Sequence, residues 1–426
     1  MTILFITAEL INSATGYCAV TVAKELAERG HSVHIVSANR TEKSSIESNG
    51  HLYIHEIPGN RHKCYILKCL ESDSRFSRLI GRVLVLKQNL LIQLKGLFTM
   101  IPLFSVEEVL YDKTLEIIER HKVDLIIPVN NPRESVIVAN RLYHKYGIPY
   151  VPYFLDSIYG NIGLRILPKR LNKKRALLFE KKWLSDAKCI IMMQSVKELY
   201  DDVDSSQYKY VSKIVYLEIP LLVSREPRNG YKANPNCYNN GQFVILFVGT
   251  MPNRIRDPRF VFRLAEQLAK GNVHCYFAGK TDYKNELDYL LAKNKNTHYL
   301  GQIDHDKIAD YIEEADVLLN IGNSIPGMLP SKVFEYMSYK KPILSTIKHS
   351  FDKSVPYLTQ YGASQIINEV DPIQDSLAIV EAFIKRVKNG EFSVDLNRLV
   401  TKNGPLFFNT PLCFSEQIES IMTVNN

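Results

Sequence analysis

Residues Thr2–Ala38 read TILFITAELINSATGYCAVTVAKELAERGHSVHIVSA. Thr2 to Ala8 is a short β-rich run. A polar turn with Ser13, Thr15 and Gly16 follows, and then a helix-period segment, AVTVAKELAERG, in which Gly30 sits where a left-handed C-cap would fall. HSVHIVSA is a second buried strand. Strand, loop, helix and strand in about 35 residues make a βαβ unit, which implies a parallel sheet.

The alternation continues outward from this unit. VDLIIPV (Val123–Val129) is predicted as a strand, Arg133 to Tyr146 as a helix, and IPYVPYFLD and AKCIIMMQS as further strands. Residues 224–242, SREPRNGYKANPNCYNNGQ, break the rhythm with Pro, Asn and Gly and form the candidate linker. A fresh α/β series starts at FVILFVGT (Phe243–Thr250) and runs through DVLLNIG (Asp316–Gly322) to KPILST. The expected organisation is an amino-terminal domain over 1–223, the linker, and a second domain over 243–404. A carboxy-terminal helix in 405–426 would return to the first domain. The fold class is α/β, with two Rossmann-like domains facing across a ligand cleft.

At 426 residues the chain is too long for one ordinary core, and 46% apolar with 23% charged residues describes a folded protein. Seven cysteines without a CxxC spacing favour reduced thiols in a cytosolic compartment over a disulfide framework. The first residues, MTILFITAEL, lack the basic start and cleavage site of a signal peptide. No uncharged apolar run approaches the roughly 20 residues that span a bilayer. A net charge of +8 points to an anionic partner without naming it.

The second domain holds the most informative segment, GMLPSKVFEYMSYKKPIL (Gly327–Leu344). Pro330 at the first helical position would leave the amides of Ser331 and Lys332 at the positive end of a helix dipole, where phosphate binds. The Ser331 hydroxyl and Lys332 ammonium suit a diphosphate. Glu335, about one turn further along the same face, can accept hydrogen bonds from the two hydroxyls of a ribose. The plain alternative is a surface helix with a solvated Lys332 and Glu335. Its place after a predicted parallel strand favours the ligand.

The run DVLLNIGNSIPGMLPSKVFEYMSYKKPIL resembles the donor-site signature of GT-B glycosyltransferases, especially glycosyltransferase family 4 of the bacterial surface-polysaccharide type. The opening FITAEL…TGYCAVTVAKELAERGHSVHIVS and the run FVGTMPNRIRDPRF are similar to the starts of that family's two domains. The family's Glu-x7-Glu pattern keeps only Glu335, because Gly327 stands at the first position. Backbone amides around Gly327 and Met328 would then face the donor sugar.

The resemblance implies an enzyme that transfers a sugar from a nucleotide donor, UDP- or GDP-linked, to a glycan or lipid-linked oligosaccharide in polysaccharide biosynthesis. Lys332, Ser331 and an arginine, Arg254 or Arg256, would stabilise the departing diphosphate. Gly16 would lie in the loop facing the donor. Asp156 and Asn130 or Asn131, just after predicted first-domain strands, would face the cleft, and Asp156 could be a base or an acceptor anchor, with helix capping as the alternative. No metal or other cofactor is expected, and Asp202-Val203-Asp204 reads as an isolated acidic pair.

Residues 61–105 alternate basic and apolar positions, and Leu167–Trp183 adds a second basic cluster. Both suggest peripheral contact with a membrane, or else core-packing helices with basic outer faces. The expected location is cytoplasmic, with the cytoplasmic face of the inner membrane as a refinement. Two rival functions are a nucleotide-sugar epimerase of the same fold and a basic nucleic-acid-binding protein. The second lacks any nucleic-acid signature, so no nucleic-acid partner is expected.

Overall fold

The computed structural model describes the chain except residues 8–12, 39–44, 73, 100–104, 131, 161–163, 165, 225–236, 240, 269–271, 304, 326–327 and 424–426. Two compact units result, Met1–Pro220 together with Pro411–Asn426, and Leu221–Thr410.

The first unit is built on a five-stranded sheet. Its strands are β1 (Thr2–Thr7), β2 (Ser32–Ala38), β3 (Ser45–Asn49), β4 (Leu52–Ile57) and β5 (Leu125–Pro128), in the order β3-β4-β2-β1-β5. All pairs are parallel except β3 with β4. The register sets Phe5 beside both Ile35 and Ile127, and all three are fully buried. Strands covered on both faces need such continuous apolar runs. A second parallel sheet holds β6 (Tyr153–Phe154), β7 (Ile190–Met193) and β8 (Ile214–Leu217), and single bridges Ile126–Tyr150 and Val129–Tyr153 link β5 to it.

The helix between β1 and β2 spans Ala14–Glu28, starting five residues before the sequence pattern suggests. Ser13 sets that start, because its Oγ accepts the amide of Gly16 at 2.9 Å. Cys18, Ala19, Val22, Ala23 and Leu26 recur at helical spacing and turn inward. The helix Pro411–Thr423 packs beside it. Phe414 meets Tyr153 edge-on at 4.7 Å, and Glu419 takes two hydrogen bonds from Arg29.

The second unit has six parallel strands, β9 (Phe243–Val248), β10 (Val273–Ala278), β11 (Thr297–Gly301), β12 (Val317–Asn320), β13 (Ile343–Ile347) and β14 (Ser364–Asn368). Their order is β11-β10-β9-β12-β13-β14, so chain direction across the sheet reverses between β9 and β12. In sheets of this kind ligands bind beyond the carboxyl ends of the strands at that reversal.

The expected boundaries shift. The units part at Pro220, because Leu222 donates to the Asn409 carbonyl at 2.9 Å and Val223 to Ser338 Oγ at 3.1 Å. Residues 221–223 and 405–410 therefore belong to the second unit. Most of the expected linker, 225–236 and 240, lies outside the described residues.

Candidate functional site

The loops leaving β9 and β12 meet at the reversal point of the second sheet. Gly279 lets the neighbouring β10 loop close in, for at φ +121° its hydrogen lies where any Cβ would collide with the Gly249 carbonyl. After Gly249 the chain turns through Pro252–Arg256, with Ile255 and Arg256 both donating to the Pro252 carbonyl. Arg254 sits in this turn at φ +68°, a left-handed conformation rare for a non-glycine residue, and its side chain is exposed.

Arg256 points inward. Its guanidinium donates to the Thr250 carbonyl at 3.0 Å and to Asn323 Oδ1 at 3.2 Å, and lies 6.0 Å from the Phe247 ring centre. The residue as a whole is half-buried, but its Nε has neither solvent contact nor a hydrogen-bond partner. Burial pulls its pKa below the ordinary arginine value. Among the described residues no carboxylate pairs with it. A cation held by neutral oxygens at a strand reversal is arranged to receive an anion.

The quoted segment approaches from β12. Asn323 is buried, and its Nδ2 donates to the Met328 carbonyl at 3.2 Å, so one amide joins Arg256 to the loop before the helix. The regular helix is Lys332–Ser338, with Ser331 at the N-cap and Pro330 before it. This corrects the expectation of Pro330 at the first helical position. A looser turn precedes the helix, with Val333 donating to the Pro330 carbonyl at 3.2 Å. Tyr336 fastens the helix to the sheet. Its hydroxyl accepts from the Val248 amide at 2.9 Å and donates to the Val248 carbonyl at 3.1 Å.

Lys332 Nζ and Glu335 Oε2 pair at 2.7 Å on the outer face of this helix. Neither is therefore simply solvated. Met328 departs from expectation, because its amide donates to the Ile325 carbonyl at 3.3 Å. Gly327 lies outside the described residues.

Residues 242–382 match the family described as glycosyl transferases group 1. Solved structures match over both domains. Sucrose-phosphate synthase from Thermosynechococcus elongatus is 14% identical, with 99% of this chain and 98% of that chain covered and a TM-score of 0.60. HepE from Anabaena in complex with UDP is 13% identical over 100% of both chains, with a TM-score of 0.58. WaaG, a glycosyltransferase involved in lipopolysaccharide biosynthesis, is 13% identical over 99% and 100%, with a TM-score of 0.54. The chain has the GT-B fold, and its second domain carries the match to glycosyl transferases group 1. No curated protein matches it by sequence.

In the first domain, Asp156 and Asn130 come together after β6 and β5. Asn130 Nδ2 donates to the Asp156 main-chain carbonyl at 3.4 Å, and its buried Oδ1 has no partner. Asp156 is open to solvent on one side but ringed by protein on the other, and partial burial raises its carboxyl pKa. The loop that carries it is anchored by Glu180, a fully buried acid that accepts from Tyr159 N at 3.0 Å, Tyr200 at 3.0 Å and Tyr210 at 2.7 Å. Burial pushes Glu180 up to about 7, against the opposing pull of these donors.

Gly16 departs from expectation. It lies in the first helical turn, buried, with its amide committed to Ser13, and not in an open loop. Asn131 is outside the described residues. Asp204 of the acidic pair accepts from both the amide and the hydroxyl of Ser206, at 2.8 and 2.6 Å, as a turn residue does. Sequence reasoning missed Asn323 and Tyr336. Asn323 follows β12 as directly as the arginines follow β9, and that position was its signal.

Proposed function

We propose that the second domain binds the diphosphate of a nucleotide sugar, UDP- or GDP-linked, and that the enzyme passes the sugar to a glycan or lipid-linked glycan. The observation that carries this reading is Arg256, a half-buried guanidinium that no carboxylate among the described residues pairs with, held at the strand reversal by Thr250 and Asn323. The diphosphate would supply the missing anion. Arg256 and Lys332 would then stabilise the charge that grows on the leaving group as the glycosidic bond to the nucleotide breaks. Ser331 would add a hydroxyl donor, Arg254 an exposed second cation, and Glu335 an acceptor for ribose hydroxyls.

Asp156, with Asn130 beside it, is the candidate for orienting or deprotonating the acceptor hydroxyl. Support for the donor comes from HepE, whose structure holds UDP, and for a polysaccharide acceptor from WaaG, which is involved in lipopolysaccharide biosynthesis. Seven cysteines, none of them in a disulfide, agree with a cytoplasmic enzyme. No metal is assigned to the donor site.

A panel of nucleotide sugars, with product analysis by mass spectrometry, tests the reading. Release of UDP or GDP together with a lengthened glycan is the expected result. Isomerised donor formed without an acceptor would overturn it in favour of an epimerase.

A further inference from the structure

The helices Arg61–Glu71 and Arg75–Phe98 pack against each other as a pair in the first domain. The longer helix turns only a narrow edge inward. Gly81 is its sole buried residue, and a Cβ there would fall 2.9 Å from Leu70 Cδ2. Gly96 abuts Leu164 in the same way, and the Arg175 guanidinium donates to the Gly96 carbonyl. Glycine at both contacts lets the helix lie close along this edge.

The other side is apolar and uncovered. Phe76, Leu79, Val83, Leu86, Leu90 and Leu94 follow one another at steps of three and four residues, and so share one stripe. Each is between 48% and 72% exposed. The stripe runs about 30 Å at 1.5 Å per residue, and a contiguous exposed apolar run rimmed by polar residues marks an interaction surface.

Charge selects the occupant. The helix carries Arg75, Arg78, Arg82, Lys87 and Lys95 and has no acidic residue. At about 100° per residue Arg75 and Arg82 border one side of the stripe and Lys87 borders the other, so their heads can reach outward while their stems lie along apolar surface. The adjoining helix Lys169–Leu184, tied on through Arg175, exposes Leu171 and Leu178 among further cations, and its one acid, Glu180, is buried. A second copy of the chain would bring two such cationic helices face to face. Lipid phosphates oppose them with the complementary sign.

We infer that helix Arg75–Phe98 lies flat in the interface of an anionic bilayer, its Phe76–Leu94 stripe among the acyl chains and its cations, with those of Lys169–Leu184, against the headgroups. No described helix is long and apolar enough to cross a membrane, which agrees with a helix lying in the surface plane. The inference stands apart from the transfer reaction, since it concerns the first domain and needs no donor.

Vesicle flotation of the full chain, without nucleotide, tests it. Wild type should float at low salt with phosphatidylcholine vesicles containing phosphatidylglycerol, should float poorly with phosphatidylcholine alone, and should be released by added salt. Leu86→Glu with Leu90→Glu should lower partitioning by about tenfold or more, because two buried apolar side chains become charged. Both sites are exposed, so an unchanged thermal midpoint and unchanged UDP binding would show that the variant is folded. Failure of wild type to float, or equal flotation of the variant, would overturn the inference. So would a dimer of wild type that the double variant splits while vesicle binding persists, since the stripe would then belong to a second copy.

Discussion

Arg256 donates to Asn323 Oδ1 at 3.2 Å, and this bond joins the loop after β9 to the loop after β12 where the second sheet reverses direction. Because Asn323 also holds the Met328 carbonyl, the guanidinium has a fixed position before any ligand arrives. Arg256→Ala should weaken UDP binding by roughly 10- to 150-fold, the range of a lost charge-assisted hydrogen bond. Asn323→Asp should also weaken it, by placing a carboxylate against the guanidinium and neutralising it in advance. Calorimetric titration of UDP into each variant checks both. Tighter binding by Asn323→Asp would contradict an anion site here.

The Lys332–Glu335 pair separates ribose recognition from phosphate recognition. If Glu335 accepts the ribose hydroxyls, Glu335→Ala should lower UDP affinity by about 10-fold or more but leave inorganic pyrophosphate affinity equal or improved, since Lys332 is released. Lys332→Ala should weaken both ligands and should lower kcat as well, because leaving-group charge grows in the transition state. A partly exposed pair three residues apart contributes only about 0.3–0.5 kcal/mol, so thermal unfolding should hardly move. Equal loss of both ligands in Glu335→Ala would remove the ribose role.

Glu180 makes the first domain sensitive to pH near neutrality. Its carboxyl is pushed up to about 7 from an ordinary value near 4.5, so the folded state holds the proton more tightly than the unfolded state. The contribution to stability is therefore complete below about 4.5 and is lost as pH rises through 7, amounting to about 3 kcal/mol. Glu180→Gln keeps an oxygen for Tyr200 and Tyr210 but cannot ionise. The difference in thermal midpoint between variant and wild type should grow in the variant's favour from pH 5 to pH 8. A constant difference would contradict the assignment.

Asp204 spends its carboxylate on Ser206, so the Asp202–Asp204 pair is shaped as a turn. Transfer activity should survive a chelator. Loss of activity on chelation, restored by manganese, would contradict a donor site that works through Arg256 and Lys332 alone.

Much of the sheet scaffold was readable, because buried parallel strands are nearly continuous apolar runs. Phe243–Val248 and Val317–Asn320 occur where the pattern places them. The predicted strand IPYVPYFLD shortens to Tyr153–Phe154, since Pro149 and Pro152 lack the amide donors a ladder needs. The β3–β4 hairpin went unread; Asn49 pairs with Leu52, so Gly50 and His51 make the turn, with Gly50 at φ +61° in the first central position that favours glycine. Gly16 was placed in a loop by the family resemblance, whereas the Ser13 cap starts the helix ahead of it.

At the site, the charged residues were visible as types and the neutral ones were not. Arg256 stands out in RIRDP, but its lack of an acid partner depends on Thr250 and Asn323 folding around it. Nothing in a one-dimensional spacing says that an asparagine will bridge two loops. The apolar stripe of helix Arg75–Phe98 was legible as alternation, whereas its exposure depends on which side the glycines turn inward.

The return of helix Pro411–Thr423 to the first domain has a consequence for biosynthesis. The helix Ala14–Glu28 emerges from the ribosome early, but the partner that supplies Phe414 and Glu419 follows only after the whole of Leu221–Thr410. At about 5–20 residues per second, that delay is on the order of ten seconds or more. Throughout this interval the first domain, though started earlier, is incomplete, and the second domain receives its last segment, 405–410, before the first receives its own. The domain that begins the chain is thus expected to finish last, and a released chain truncated after Thr410 should present a protease-resistant second domain beside a more cleavable first one.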